Sequence, residues 1–74
     1  MEVKIGVRHA PRELVLDVTA TVEEVEAAVA DALDGEHAVL TLTDTRGRRV
    51  IVPGRGLAYL ELGTGTSGTV GFRG

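Results

Sequence analysis

One stretch of the chain, residues 21–33, has the apolar spacing of an amphipathic helix, and it constrains the fold more than any other feature. Its apolar residues recur three and four positions apart, which places them on one helical face. These residues are Val22, Val25, Ala28, Val29, Ala32 and Leu33. Thr21 and Glu24 have the pattern of a capping box, and Gly35 is placed to end the helix. The segments on either side therefore have one helix to pack against.

Five segments around this helix alternate apolar and polar residues, as half-buried strands do. The predicted strands are Glu2–Arg8, Glu13–Val18, Ala38–Asp44, Arg48–Pro53 and Leu57–Leu62. The residues from Asp44 to Gly47 predict a turn with Gly47 in a left-handed conformation. In the Gly/Thr-rich segment 63–74, Val70 and Phe72 favour a short last strand, because Phe72 is the single phenylalanine; the alternative is a disordered tail.

The order of these elements, β-β-α-β-β-β, predicts a single α+β domain over residues 1–62. The apolar spacing of the first thirty residues resembles the ubiquitin-like β-grasp superfamily, so we expect a β-grasp-like sheet packed on one helix. The residues that carry this resemblance are Met1, Val3, Ile5, Leu14, Leu16, Val18, Thr21, Val25 and Val29. The alternative is a small open barrel of Sm or OB type, in which the helix would plug one end instead of crossing a sheet face.

The composition excludes several classes of protein. The sequence has no cysteine, which rules out a disulfide framework and a zinc finger and suits a cytoplasmic location. No apolar run approaches the 18 or more residues of a membrane span, and the first ten residues lack the apolar core of a signal peptide. The net charge of −3 is not that of a typical nucleic-acid-binding domain.

The charges are unevenly distributed along the chain. Seven acidic and no basic residues lie between Asp17 and Glu36, whereas four arginines and one acid lie between Asp44 and Arg55. This predicts an acidic helix face and a basic hairpin. The arginines and the glycines among them suggest a phosphate site for a nucleotide or RNA. That site would comprise Arg46, Arg48, Arg49, Arg55, Gly47, Gly54 and Gly56. The alternative is that these arginines are solvated or pair with the acidic helix of the same or another copy.

No catalytic, metal-binding or cofactor-binding constellation is predicted. Residues 63–68 match G-x-G-x-x-G, but no βαβ unit and no acidic residue follow as a dinucleotide site requires. His9 and His37 have no cysteine to join them in a metal site, and Ser67 has no fixed base beside it. A modifier or sulfur carrier acting through Gly74 is a third and weaker hypothesis, because these proteins end in Gly-Gly.

Several apolar residues fall opposite the predicted core positions of their strands. They are Val15, Val39, Leu57 and Tyr59. Spare apolar surface of this kind predicts an interface, so the leading hypothesis is a non-enzymatic protein-interaction module. Its partner would be another protein or a second copy, in a homodimer formed through residues 57–62.

Four pieces of the sequence occur in the order and at the distances found in one family. They are MEVKIGV at the start, PRELV at residues 11–15, LTLTDTRGRR at 40–49 and LAYLELG at 57–63. In these the chain resembles an actinobacterial domain of unknown function, number 3107, whose members include a mycobacterial low-molecular-weight antigen. The resemblance implies a soluble cytoplasmic protein of unknown role, and it brings no catalytic residues with it.

Overall fold

The computed structural model describes residues 1–63, and the elements follow the predicted order with shorter bounds. The strands are β1 Glu2–Val7, β2 Leu14–Asp17, β3 Val39–Thr43, β4 Arg49–Pro53 and β5 Leu57–Leu62. The helix α1 spans Val22–Ala32, and a short 3₁₀ turn, Gly54–Gly56, separates β4 from β5. The α+β class and the order of its elements are therefore confirmed, while the predicted strand at Val70 and Phe72 lies outside the described residues.

The strands form two open antiparallel sheets rather than one. Sheet A has the order β2-β1-β5, and sheet B pairs β3 with β4. The sheets meet at an isolated bridge between Val18 and Asp44, beside a hydrogen bond from the Thr45 amide to the Asp17 carbonyl. Because the described strands do not close on themselves, residues 1–63 form no barrel of Sm or OB type.

The core lies between α1 and the inner faces of the two sheets. Nine apolar side chains are buried in it: Val3, Ile5, Leu16, Val18, Val25, Ala32, Leu40, Leu42 and Val52. On β4, Val52 is buried and Val50 half-buried, whereas Ile51 points to solvent. The alternation of β4 thus assigns one face of this strand to the core.

Local chemistry fixes both ends of α1. The predicted capping box is present: the Glu24 amide donates to Thr21 Oγ1 at 3.1 Å, and the Thr21 amide donates to Glu24 Oε1 at 2.9 Å. Beyond the helix, Gly35 has a φ of 132°, a conformation that glycine adopts readily. No helix within residues 1–63 has the length and apolar character needed to cross a membrane.

The carboxyl end of α1 rests directly on the backbone of the 3₁₀ turn. A Cβ atom added at Gly54 would lie 1.8 Å from the Ala32 carbonyl oxygen. Gly54 is itself buried, and its amide donates to the Ala38 carbonyl at 2.9 Å. The glycine is therefore required here because two stretches of backbone come together with no room for a side chain.

Substitution of Gly54 by alanine should destabilise the protein by about 3 kcal/mol, because backbone atoms on both sides must move to admit one methyl group. Gly56→Ala is the matched control, since its Cβ would meet nothing closer than Val7 Cγ1 at 4.0 Å. Urea denaturation of both variants measures the difference. Equal stability of the two variants would contradict the close contact between α1 and the turn.

Candidate functional site: a groove beside the free edge of β5

An apolar groove of about 320 Å³ runs between α1 and β5. The helix contributes Glu26, Val29 and Leu33, and the strand contributes Leu57, Ala58, Tyr59, Leu60 and Leu62. Leu33 follows the last residue of α1 and is 63% exposed. Apart from the exposed Glu26, the side chains that line the groove are hydrocarbon, since Tyr59 borders the groove but directs its ring to Gly6 and Glu13.

The backbone of β5 has one satisfied edge and one free edge. The Gly63 amide donates to the Glu2 carbonyl at 2.8 Å, and the antiparallel register pairs Glu61 with Lys4 and Tyr59 with Gly6. Because hydrogen-bonded pairs alternate along antiparallel strands, Tyr59 and Glu61 direct their amides and carbonyls to β1. The amides and carbonyls of Leu60 and Leu62 point the opposite way, where no other strand of residues 1–63 pairs with them.

The register of β5 changes near its start, and the change places Leu57 on the core side. An irregularity between Gly6 and Val7 pairs Val7 with Leu57, whereas Gly6 pairs with Tyr59. Leu57 is consequently half-buried and packs against the core cluster together with Leu60 and Leu62. The prediction that Leu57 lies on the outer face of the sheet is wrong, because a strict two-residue alternation does not continue through a bulge.

Tyr59 lies on the outer face of sheet A, where it crosses from β5 towards β2. Its ring covers Gly6, since a Cβ atom at that glycine would fall 2.2 Å from Tyr59 Cε2. Its hydroxyl donates a hydrogen bond to Glu13 Oε2. This bond, with smaller contributions from desolvation and from the negative charges of Glu13 and Glu61, raises the pKa of Tyr59 above its ordinary value of 10.0.

The four residues of the predicted interface do not share one surface. Val15 lies opposite Lys4 on the outer face of sheet A, the face that Tyr59 crosses. Val39 lies on sheet B, where it pairs with Pro53 and is exposed as Ile51 is. Because Leu57 faces the core, these four residues do not form a single patch through which two copies could associate. Formation of a homodimer stays a prediction.

The basic hairpin between β3 and β4 is organised around a buried carboxylate. Asp44 is only 7% exposed. Its Oδ1 accepts from the amides of Arg46 at 3.0 Å and Arg48 at 2.8 Å, and its Oδ2 accepts from Arg48 Nε at 3.0 Å. Burial acts to raise the pKa of Asp44, but these hydrogen bonds and the Arg48 charge outweigh it and hold the pKa below 3.8. The hairpin therefore already contains an anion of its own.

The predicted phosphate site is divided between two places. One set lies at the start of β4 and in the turn before it: Arg46, Gly47, Arg48 and Arg49. Gly47 has a φ of 86°, so the predicted left-handed conformation is present. The other arginine, Arg55, lies in the 3₁₀ turn past the opposite end of that strand, with Gly54 and Gly56. A five-residue strand spans roughly 13 Å between its end residues. One phosphate group cannot be held by both sets, and the Gly54 amide is already occupied by the Ala38 carbonyl.

The remaining residues considered in the sequence do not form a site within residues 1–63. His9 and His37 are exposed, and no three His, Cys, Asp or Glu side chains within residues 1–63 are grouped as a metal site. The G-x-G-x-x-G match continues past Gly63 into the part of the chain that is not described, as do Ser67 and Gly74. The hypotheses that rest on them therefore lie outside the described residues.

Sequence reasoning missed three features of this surface. The role of Asp44 had a signal, because aspartate at the first position of a turn commonly binds the amides that follow it. The contact between Tyr59 and Glu13 joins residues 46 positions apart in the sequence and had no local signal. The groove depends on how far α1 stands from β5, and a pattern of apolar spacing carries no information on that separation.

The titration of Tyr59 should depend on Glu13. The protein has one tyrosine and no tryptophan, so phenolate absorbance follows Tyr59 alone. We expect a pKa above 10.0, which Glu13→Gln lowers because the carboxylate acceptor is lost, whereas Glu61→Gln changes it less. The raised pKa also means that the stabilisation by neutral Tyr59 is present below pH 10 and is lost as the pH rises through the folded value. An ordinary pKa in the unsubstituted protein would contradict the hydrogen bond.

Removal of the Asp44 carboxylate should weaken the hairpin and the junction between the sheets. Asp44→Ala leaves two amides and the Arg48 guanidinium without their acceptor, so the thermal midpoint at neutral pH should fall by roughly 5–10 °C. Because the pKa of Asp44 is lowered, the difference from the unsubstituted protein should persist down to pH 3.8 and shrink only at lower pH. Asp34→Ala, at an exposed position, is the control, and an equal loss in that variant would refute the role of Asp44.

Comparison with known proteins places the chain in a family without assigning it an activity. The matching family is described as Protein of unknown function (DUF3107), and the match covers residues 1–73. A comparison with curated proteins gives no match. The match extends over nearly the whole sequence and includes β1, the capped helix, the Asp44 hairpin and β5. The chain belongs to this family of proteins of unknown function.

Proposed function

We propose that this protein is a non-enzymatic protein-interaction module that binds an extended apolar segment of a partner chain along the free edge of β5. The observation that carries the proposal is a coincidence of two features. The outward amides and carbonyls of Leu60 and Leu62 lie directly beside the apolar groove under α1. An added strand would satisfy the backbone groups and place every second side chain in the groove, which is how sheet edges recognise peptides.

The chemistry of the groove defines what such a segment should contain. Leu33, Val29 and Leu60 offer apolar contacts, so the residues that enter the groove should be apolar and two positions apart. Glu26 at the rim is exposed and belongs to a helix that carries no basic residue. A positively charged residue near the apolar pair would therefore improve the fit and the rate of association.

The outer edge of β4 in sheet B is a poorer site for strand addition. The hydrogen bond from the Gly54 amide to the Ala38 carbonyl determines which residues of β4 direct their backbone groups to β3 and which direct them outward. It directs the backbone of Arg49, Ile51 and Pro53 away from β3. Pro53 has no amide hydrogen to offer, and Arg49 places a charge at the edge, two features that natural sheets use to prevent pairing. The edge of β5 has neither feature at its outward positions.

The phosphate-binding alternative has weaker support. Arg46, Arg49 and Arg55 are exposed and free of ion pairs within residues 1–63. The amides that would complete a phosphate site at the hairpin bind Asp44, however, and Arg55 lies beyond the far end of β4. Binding of a nucleotide or RNA through the arginines alone would be diffuse and would weaken steeply with salt, which separates it from an apolar groove interaction.

The proposal is tested by selecting peptides from a random display library on the immobilised full-length protein. We expect enriched sequences with apolar residues two positions apart, and binding at least tenfold weaker to Leu33→Asp, because a charge in the groove removes more than 1.4 kcal/mol of contact energy. Ile51→Asp is the matched control. Ile51 is 60% exposed, close to the 63% of Leu33, but Ile51 lies on sheet B, away from the groove. Calorimetry of the selected peptides measures both affinities.

Two outcomes would reject the groove as the binding site. The first is enrichment of sequences without apolar alternation. The second is equal loss of affinity in Leu33→Asp and Ile51→Asp, which would indicate an effect of surface charge in general. Retention of both variants in a folded state is checked by their urea midpoints.

A further inference from the structure

We propose that the partner chain at this edge is a second copy of the protein, paired through β5 in a symmetric dimer. This inference rests on the proposed function, because it uses the same groove and names what binds there. The two-fold axis passes beside Leu60, so β5 of one copy lies antiparallel to β5 of the other. Four features of residues 1–63 support this dimer: the composition of β5, the direction of α1, the distribution of charge and the register that charge allows.

The sequence of β5 has the composition that the groove requires of a bound segment. Leu60 and Leu62 are apolar, lie two positions apart and line the groove. A basic residue, Arg55, comes two positions before the first residue of the same strand. Because a strand added to a sheet edge places alternate side chains on one face, a second β5 would direct both leucines to the groove side. The protein therefore carries, in its own edge strand, the kind of segment that its groove is suited to bind.

The helix and β5 run in opposite directions along the groove. Val18 donates to Met1, and Gly63 donates to the residue after Met1, so the start of α1 lies at the end of β5. The last residue of α1, Ala32, contacts Gly54, three residues before β5 begins. The acidic first half of α1 is therefore near the end of β5, whereas its apolar C-terminal end is near the start of β5.

A two-fold axis brings opposite charges together on both of its sides. Antiparallel pairing sets the start of one β5 beside the end of the other. Arg55 of one copy is thereby placed at the end of β5 of the other copy, where the helix carries Glu23, Glu24 and Glu26. Arg55 and Glu26 are exposed, and neither makes an ion pair within residues 1–63. This complementarity favours association of two copies although each has a net charge of −3.

Charge and overlap select the register of the two strands. With the axis beside Leu60, Glu61 lies opposite Tyr59 of the other copy, and Leu62 lies opposite Ala58. An axis beside Glu61 would set the two Glu61 carboxylates directly opposite each other, and like charges destabilise such a pair. An axis beside Tyr59 or Leu62 would leave one of the outward leucines with no residue of β5 opposite it. The axis beside Leu60 avoids both costs.

Sedimentation velocity of the full-length protein tests the dimer. We expect a dimer that dissociates on dilution, with a dissociation constant that is raised by roughly tenfold or more in Leu33→Asp. Leu33 is 63% exposed near the start of β5, which this register sets opposite Leu62 of the other copy. Ile51→Asp is the control, because Ile51 is 60% exposed but lies on sheet B. Urea midpoints show whether both variants are folded.

Charge reversal tests which ends of the two copies meet. Arg55→Glu should raise the dissociation constant by roughly threefold or more, since two attractive pairs become repulsive. Adding Glu26→Arg to the same chain should restore the dimer, because the charges are then opposite again. Arg49→Glu is the control, because Arg49 is exposed at the edge of β4. Rescue by the second substitution does not follow from a change in the stability of the monomer.

The register is measured by cross-linking, because the sequence has no cysteine of its own. A copy with Tyr59→Cys and a copy with Glu61→Cys should form a mixed disulfide on oxidation. Opposite residues of antiparallel strands have Cα atoms about 4.5–5.5 Å apart, a separation that a disulfide spans. Predominant linking of Glu61→Cys to itself would contradict the axis beside Leu60.

A protein that stays monomeric at the highest attainable concentration would overturn the inference. So would a dimer that Leu33→Asp and Arg55→Glu leave unchanged, since its interface would lie elsewhere. A monomer that binds the selected peptides through Leu33 would reject the dimer and leave the proposed function standing. A dimer with the expected properties whose diluted monomers select no peptide would reject binding of a separate segment and leave the pairing of two copies standing.

Discussion

The pairing of β1 on both of its edges is the interaction on which the rest of this structure depends. Val3 and Ile5 have no exposed surface, and their backbone groups alternate with those of Glu2 and Lys4 between β2 and β5. The hydrogen bond from the Val18 amide to the Met1 carbonyl and that from Gly63 to Glu2 independently fix this alternation. Because β1 has no remaining backbone group to share, β5 must present its other edge outward, and the groove under α1 follows from that placement.

The basic hairpin shows how charge that suggests a ligand can instead be structural. Arg48 uses both its amide and its guanidinium on Asp44, and the Arg46 amide completes the shell of the same carboxylate. Asp44 also carries the bridge to Val18 that joins the two sheets. A buried carboxylate is stable only when its acceptors are satisfied, so the residues around it must supply donors. Part of the arginine cluster in the sequence is thereby explained without a bound phosphate.

The sequence predicted the elements well and their mutual placement less well. The capping box at Thr21 and the two positive-φ glycines, Gly35 and Gly47, depend on neighbours within a few residues, so local chemistry reveals them. Leu57 was assigned to the wrong face because the bulge opposite it arises from pairing with β1, a contact between residues 50 positions apart. The division into two sheets was also unpredictable, since apolar alternation is the same whether β3 pairs with sheet A or stands apart from it.

The candidate site could not be predicted from the sequence, because it too depends on how the elements are placed relative to each other. Val29, Leu33, Leu60 and Leu62 all had the pattern of core residues, and the pattern does not distinguish a buried position from one that lines an open groove. The structure makes the distinction, because it leaves Leu33 largely exposed beside two unpaired backbone positions.

An apolar sheet edge of this kind is a liability that natural proteins blunt with charge, proline or a covering segment. The edge of β4 is blunted by Arg49 and Pro53, whereas the outward positions of β5 are occupied by two leucines. The one charged residue between them, Glu61, projects to the opposite face of the sheet, so its charge does not prevent an apolar segment from binding in the groove. Covering is the remaining solution, and an added strand from a partner chain, the binding mode proposed for this edge, would provide it.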